Sequence, residues 1–177
     1  MRVQILAALT AGVVLVTAPA AATVASAAPA ATPDTWSKDA RVVIRRDLPA
    51  AEVTGVRVGH HRRFDRIVID LDGAAPGFSV RYVKRLHRDP SAHLVNLRGP
   101  ASLQIVIDPA NGHDVETGQR TLTTPARTVW RFDQVRETAV IGDFEAYFTV
   151  GAGLARKAPF RVLTLTNPTR IVVDVRH

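Results

Sequence analysis

What this chain can fold into is constrained most by residues 54–73, TGVRVGHHRRFDRIVIDLDG. Val56 and Val58 alternate with Arg57 and Gly59, while Ile67, Ile69 and Leu71 alternate with Val68 and Asp70. A period of two sends successive side chains to opposite faces, so both runs read as half-buried strands. His60, His61, Arg62 and Arg63 stand between them. Such residues belong in a solvated turn, and the stretch reads as a hairpin with a basic tip.

The same period recurs along the chain. Residues 42–44 form a first short apolar run. Phe78, Val80 and Tyr82 share a face, and so do Leu103, Ile105 and Ile107. Residues 94–97 are a short run ending at Gly99-Pro100, and residues 109–118 read as a polar loop. Residues 120–132 are weaker and interrupted by Pro125, which suits an edge strand or two short pieces. Residues 135–141 and 147–150 flank Gly142-Asp143-Phe144-Glu145, a second hairpin with a short helix as the alternative. Residues 160–165 and 170–175 close a third hairpin around Asn167-Pro168-Thr169. No segment carries a long amphipathic helical pattern. Short strands punctuated by turn signals imply an all-β sandwich or barrel.

RIVIDL at residues 66–71 is echoed by RIVVDV at 170–175, and more loosely by LQIVID at 103–108. The first two copies share Arg at the first place and Asp at the fifth. The repeat is expected to put two strands in equivalent places of two packed sheets. It also marks Asp70 and Asp174 as structural carboxylates, each bonded to an arginine such as Arg66 or Arg170, or to a turn amide.

The beginning of the chain carries an address. Arg2 is followed by an apolar run over residues 3–16, then small residues ending in Ala25-Ser26-Ala27. That is the pattern of a secretory signal peptide over residues 1–27. The apolar run is shorter than the roughly 20 residues a spanning helix needs, and no second apolar span follows, so no membrane anchor is expected after cleavage. Residues 28–39, rich in Ala, Pro and Thr, read as a linker in which Trp36 is the one large apolar group. Residues 40–177 then form one domain. The chain has no cysteine, which excludes disulfides and thiol chemistry. It has 23 basic residues against 16 acidic ones, and only Lys38, Lys84 and Lys157 among the basic ones are lysine. Removal of the leader would take only Arg2 from that balance. An excess of positive charge draws anionic partners, yet the arginines form no dense block of the kind that marks nucleic-acid binding.

Candidate chemistry is sparse. His60 and His61 are neighbours on a strand and point to opposite faces, so they do not chelate one ion; they are expected to close the hairpin by packing and hydrogen bonds. His87, His93, His113 and His177 are scattered without ligand spacing, and neither a metal nor a cofactor is expected. Asp70 with Asp72, or Asp143 with Glu145, have the i, i+2 spacing that a pair of glycosidase carboxylates could use, but acidic pairs on a solvated face are commonly inert. No nucleophile elbow or phosphate loop is present, and Gly151-Ala152-Gly153 is too short to be one. No catalytic residue is assigned. Phe64, Phe78, Phe144, Tyr147, Phe148 and Phe160 read mostly as core, with one or two left for sugar stacking.

The opening GVRVGHH-x-x-FDR, the segment VRETAVIGDFEAYFTVGAGL and the closing P-x-RIVVDV-x-H resemble the AMIN-like domain of secreted actinobacterial proteins. The resemblance runs from about Thr54 to His177. It implies a β-sandwich related to the AMIN domain, a non-catalytic module that places amidases and secretion-channel proteins in the bacterial envelope. The chain departs from many relatives at Thr149 and Val150, where they carry an aromatic residue. The expected protein is therefore a secreted, extracytoplasmic, non-catalytic envelope-binding module. Its expected partners are peptidoglycan, an anionic wall polymer or an envelope protein, with no nucleic acid. His60, His61, Arg62 and Arg63 are the candidate binding residues. The alternative is a sandwich or barrel enclosing a small apolar ligand.

Overall fold

The computed structural model describes residues 35–45 and 47–177. The signal-peptide reading and most of the linker reading fall outside them. The described residues form thirteen strands: β1 (Arg41–Val43), β2 (Ala51–His61), β3 (Phe64–Asp72), β4 (Gly77–Val83), β5 (Leu86–His87), β6 (Leu94–Val95), β7 (Ala101–Asp108), β8 (Ala110–Asn111), β9 (Arg127–Val129), β10 (Val135–Phe144), β11 (Tyr147–Leu154), β12 (Phe160–Leu165) and β13 (Arg170–Arg176). One sheet has the order β1-β4-β7-β11-β10-β9 and the other β12-β13-β3-β2-β8, with β5-β6 as a separate ribbon. The fold is an all-β sandwich. All pairings are antiparallel except β2 with β8.

Alternation fills the space between the sheets. Ile67, Ile69 and Leu71 of β3 and Ile171, Val173 and Val175 of β13 meet Leu103, Ile105 and Ile107 of β7 and Phe148, Val150 and Leu154 of β11 in one core. Each fully buried aliphatic contributes roughly 1.5–3 kcal/mol relative to exposure. Thr149 and Val150, where relatives carry an aromatic, are both buried, so that position offers no surface platform. Along β2 the inward set is Ala51 and Val53, then Val56. The phase slips at a bulge between Val53 and Gly55. Two residues on the bulged strand there oppose one on its partner, and the 121–124 loop takes up the displaced groups. The Thr54 carbonyl accepts from the Thr123 amide at 2.9 Å, and the Thr124 hydroxyl accepts from the Val56 amide, also at 2.9 Å.

Three expectations are corrected in detail. The two RIVIDL-like copies do not occupy separate sheets: β13 pairs directly with β3, so that Arg66 stands opposite Asp174 and Arg170 opposite Asp70. Only the looser copy, on β7, lies in the other sheet. The second hairpin turns at Glu145-Ala146, both at positive φ (50° and 61°), and Gly142 lies within β10 at a register shift. The loop after β7 contains β8, which extends the sheet edge beside β2.

Gly151 and Gly153 lie on the outward face of β11, beneath the β5–β6 region. A Cβ on Gly151 would stand 2.9 Å from the tip of Leu86. One on Gly153 would stand 2.8 Å from the Leu97 Cβ and closer still to the Arg98 carbonyl. The Gly-Ala-Gly run thus lets a second layer lie flat on the sheet, covering Ala139 and Ile141 with Leu86 and Leu97. Gly153→Ala is expected to destabilise by about 1–3 kcal/mol, because the facing atoms include backbone and cannot swing away. Gly59→Ala, whose new Cβ would find nothing nearer than 3.9 Å, should change stability by less than about 0.5 kcal/mol. Chemical denaturation of both variants checks the contrast.

Candidate functional site

The β2–β3 hairpin pairs His61 with Phe64, leaving Arg62 and Arg63 as the two turn residues. His60, His61, Arg62 and Arg63 are all exposed. The two histidines point to opposite faces and do different things. His61 stacks on Phe64 with ring centroids 4.6 Å apart. His60 turns to the other face and packs between the rings of His177, stacked at 5.1 Å, and Phe132 at 5.7 Å. His177, which sequence reading left among the scattered histidines, is held here because its amide donates to the Arg63 carbonyl at 3.2 Å.

Beneath this pair lies Asp65, which is fully buried. Its Oδ2 accepts from the backbone amides of Gln134 at 2.7 Å and Val135 at 2.9 Å. Its Oδ1 is 2.8 Å from His60 Nδ1 and 3.1 Å from His177 Nε2. Burial alone would raise the Asp65 pKa. The Val135 and Gln134 amides and the two imidazoles outweigh it, and the group is held below the ordinary carboxylate range. An ionised carboxylate only accepts, so the imidazole nitrogens facing it carry the protons. Sequence reading missed Asp65 because it stands at the end of the apolar run of β3, where a single acidic residue looks the same whether it is solvated or buried.

On the outer face of the same sheet, charge and aromatic groups alternate. Asp174, fully buried, accepts from Arg66 through two bonds of 2.6 and 2.9 Å and from Arg161 Nε at 2.8 Å. Asp70 accepts two bonds from Arg57, at 2.6 and 2.8 Å, in a more exposed setting. Arg170 stands opposite Asp70 but donates to the Pro168 carbonyl. Above Asp174 the guanidinium of Arg161 lies 4.7 Å from the Trp36 ring and 5.5 Å from the Phe64 ring, and Arg176 lies 4.7 Å from Trp36. Trp36 itself packs on Phe64 at 6.0 Å, and the adjacent Ser37 exchanges backbone hydrogen bonds with Phe160. The end of the stretch read as linker thus lies against the domain. Together these residues wall a groove of about 640 Å³ between Trp36, Arg62, Arg63, Phe64, Arg161, Arg176 and His177.

One acid of each pair weighed as catalytic groups has other partners, Asp70 as described and Asp143. Asp143 accepts from the Gly112 amide at 2.9 Å and is 2.8 Å from His113 Nδ1, which ties the loop after β8 to β10. Of the six aromatics weighed, Phe78, Phe148 and Phe160 are buried, Phe144 and Tyr147 are exposed, and Phe64 lines the groove.

The family model described as the AMIN-like domain matches residues 51–177, from the first residue of β2 to the groove residue His177. The chain belongs to the AMIN-like domain family. No curated protein and no solved structure matches it. Membership suggests an extracytoplasmic, envelope-associated module of a generally non-catalytic kind. No helix among the described residues is long and apolar enough to cross a membrane. Within the AMIN-like match, the FDR and VRH segments supply Asp65 and His177, which join the hairpin tip to the last strand.

The depressed pKa of Asp65 gives a pH signature. A carboxyl group whose folded pKa lies below its unfolded value stabilises the fold above the unfolded value, roughly 3.9, and that stability is lost as pH falls toward the folded pKa. Asp65→Asn should lower the melting temperature at neutral pH and flatten the fall in stability below about pH 4. Of the two repeated aspartates, Asp174→Ala should cost more. It strands two arginine donors, worth about 1–3 kcal/mol, whereas the exposed Asp70–Arg57 pair is worth at most about 1 kcal/mol. Parallel thermal melts of the three variants check this ordering.

Proposed function

We propose that this AMIN-like domain is a secreted, non-catalytic binding module that holds anionic groups of the cell-wall polymer in the groove beside the β2–β3 tip. The observation that carries the reading is the convergence of Arg62, Arg63, Arg161 and Arg176 with the Trp36 and Phe64 rings around one concave surface. Wall polymers present carboxylates and phosphates beside sugar rings. The guanidinium fork bonds two oxygens of such an anion, and an aromatic face takes the apolar side of a sugar. Asp174 and the rings beneath hold Arg161 in a fixed orientation, so part of the site is ordered before a ligand arrives. Of the four residues nominated at the tip, Arg62 and Arg63 are assigned to the ligand, while His60 and His61 support the turn.

The alternative of an apolar ligand between the sheets finds no comparable support, since that space is occupied by core side chains. The test is sedimentation with purified cell wall at two salt concentrations. Exposed charge contacts weaken as the Debye length falls from roughly 10 Å at 0.1 M to 3 Å at 1 M. The protein should co-sediment at low salt and be released at high salt. The Arg62→Ala, Arg63→Ala double variant should bind several-fold more weakly at low salt with an unchanged melting temperature. Equal binding by variant and parent would remove the tip from the site.

A further inference from the structure

The same corner of the fold holds three groups to which the groove reading gives no contact with the polymer, one of them the groove-lining His177. Among the described residues, His60, His177 and Asp133 each bring one potential ligand atom within 4.8 Å of the others. The orientation of the two rings is fixed from below. Asp65 lies buried beneath both rings, its Oδ1 2.8 Å from His60 Nδ1 and 3.1 Å from His177 Nε2. The ring nitrogens that face Asp65 are His60 Nδ1 and His177 Nε2, which leaves the opposite nitrogen of each ring, Nε2 and Nδ1, as the one open to a further partner. His177 Nδ1 in turn faces Asp133 Oδ2 at 3.7 Å, too far for a hydrogen bond. A ring nitrogen and a carboxylate oxygen facing each other across that gap are donors of the kind a transition-metal ion takes.

We propose that His60, His177 and Asp133 form a divalent transition-metal site, best suited to Zn²⁺, with Asp65 as the carboxylate that orients both histidines. Two imidazole nitrogens and one carboxylate oxygen are a borderline donor set of the kind zinc takes. Metal-bound histidines characteristically donate their other N–H to a carboxylate, which fixes the ring and raises its basicity. Asp65 does this for both rings at once, and its remaining oxygen is tied to two backbone amides, so the supporting shell stands preassembled. The near-parallel His60 and His177 rings, 11° apart, hold the two donor edges side by side. Asp133 and Asp65 together supply the two negative charges that a divalent ion needs beside a basic groove. Asp133 is 71% exposed and His60 44% exposed, so both can close on an ion without disturbing the core. Three protein ligands leave the remaining position to water. Sequence spacing hid this constellation: the obvious pair His60-His61 diverges, and the true partner of His60 lies on the segment that follows β13.

The test is a zinc titration of the purified, untagged protein against a chromophoric chelator, with melting temperatures recorded with and without metal. The parent should take up one Zn²⁺ per chain with micromolar or tighter affinity and melt at higher temperature in its presence. Asp133→Ala, which removes no hydrogen bond of the metal-free fold, should melt like the parent without zinc and bind it at least about tenfold more weakly. His93→Ala, at an exposed histidine elsewhere, should bind like the parent. In ¹⁵N spectra zinc should shift His60 Nε2 and His177 Nδ1. Uptake below one ion per chain would overturn the proposal, as would parental affinity in Asp133→Ala or zinc shifts confined to other histidines. Because the readouts are uptake and ring-nitrogen shifts in the absence of cell wall, the outcome is independent of whether the groove binds a polymer.

Discussion

The hydrogen-bonded Asp65 carboxylate is the contact on which the organisation of the site depends. Leaving a buried charge without partners would cost far more than a domain of this size can spare. Here both oxygens have two partners each, from the start of β10 and from the rings of His60 and His177. The backbone partners come from the sheet opposite to that of Asp65, and the rings come from the hairpin tip and the residue after β13. One side chain therefore fixes how the two layers meet at this end. It also fixes the height of the tip above the core and the orientation of both imidazoles.

A second carboxylate does the equivalent on the outer face. Asp174 draws Arg66 and Arg161 inward, and the aromatic rings of Trp36 and Phe64 lie over the guanidinium planes. Arginine tolerates this position because its head is planar and weakly hydrated, so it can bond a carboxylate at its edge and meet an aromatic ring at its face. The groove is thus a layered stack of carboxylate, guanidinium and ring, with Arg62, Arg63 and Arg176 at the rim. At the base two guanidiniums share the Asp174 carboxylate, and the rim guanidiniums face solvent or ligand.

Much of this architecture was readable from the sequence. Period-two alternation located nearly all the longer strands, including β3, β7 and β13, because each buries one face and the pattern follows burial directly. The weak run interrupted by Pro125 does end as the edge strand β9. What alternation could not show was pairing between distant segments. The RIVIDL echo was visible, but not that the two copies lie side by side with Arg and Asp crossing between them. Gly142 drew the second turn too early, since glycine signals both turns and strand irregularities, while Glu145-Ala146 carries no turn signal at all. At the site, the tip residues stood out by charge and Asp65 did not, because a single acidic residue beside an apolar run looks the same whether it is solvated or buried. The link from His60 to His177 rests on strand order, which periodicity does not encode.

The placement of β13 between β12 and β3 bears on how the molecule reaches its native state. The β2–β3 ribbon closes through a two-residue turn, and such hairpins form in roughly 1–10 μs. Its β3 edge stays open until β13 arrives from about a hundred residues further along, a loop whose closure entropy must be met before that pairing is gained. Until then β3 presents an unpaired edge rich in Ile and Val, a template for pairing with another chain. Folding is accordingly expected to be slow for a domain of this size, with its rate set by a non-local docking step and its main hazard intermolecular strand addition during that interval.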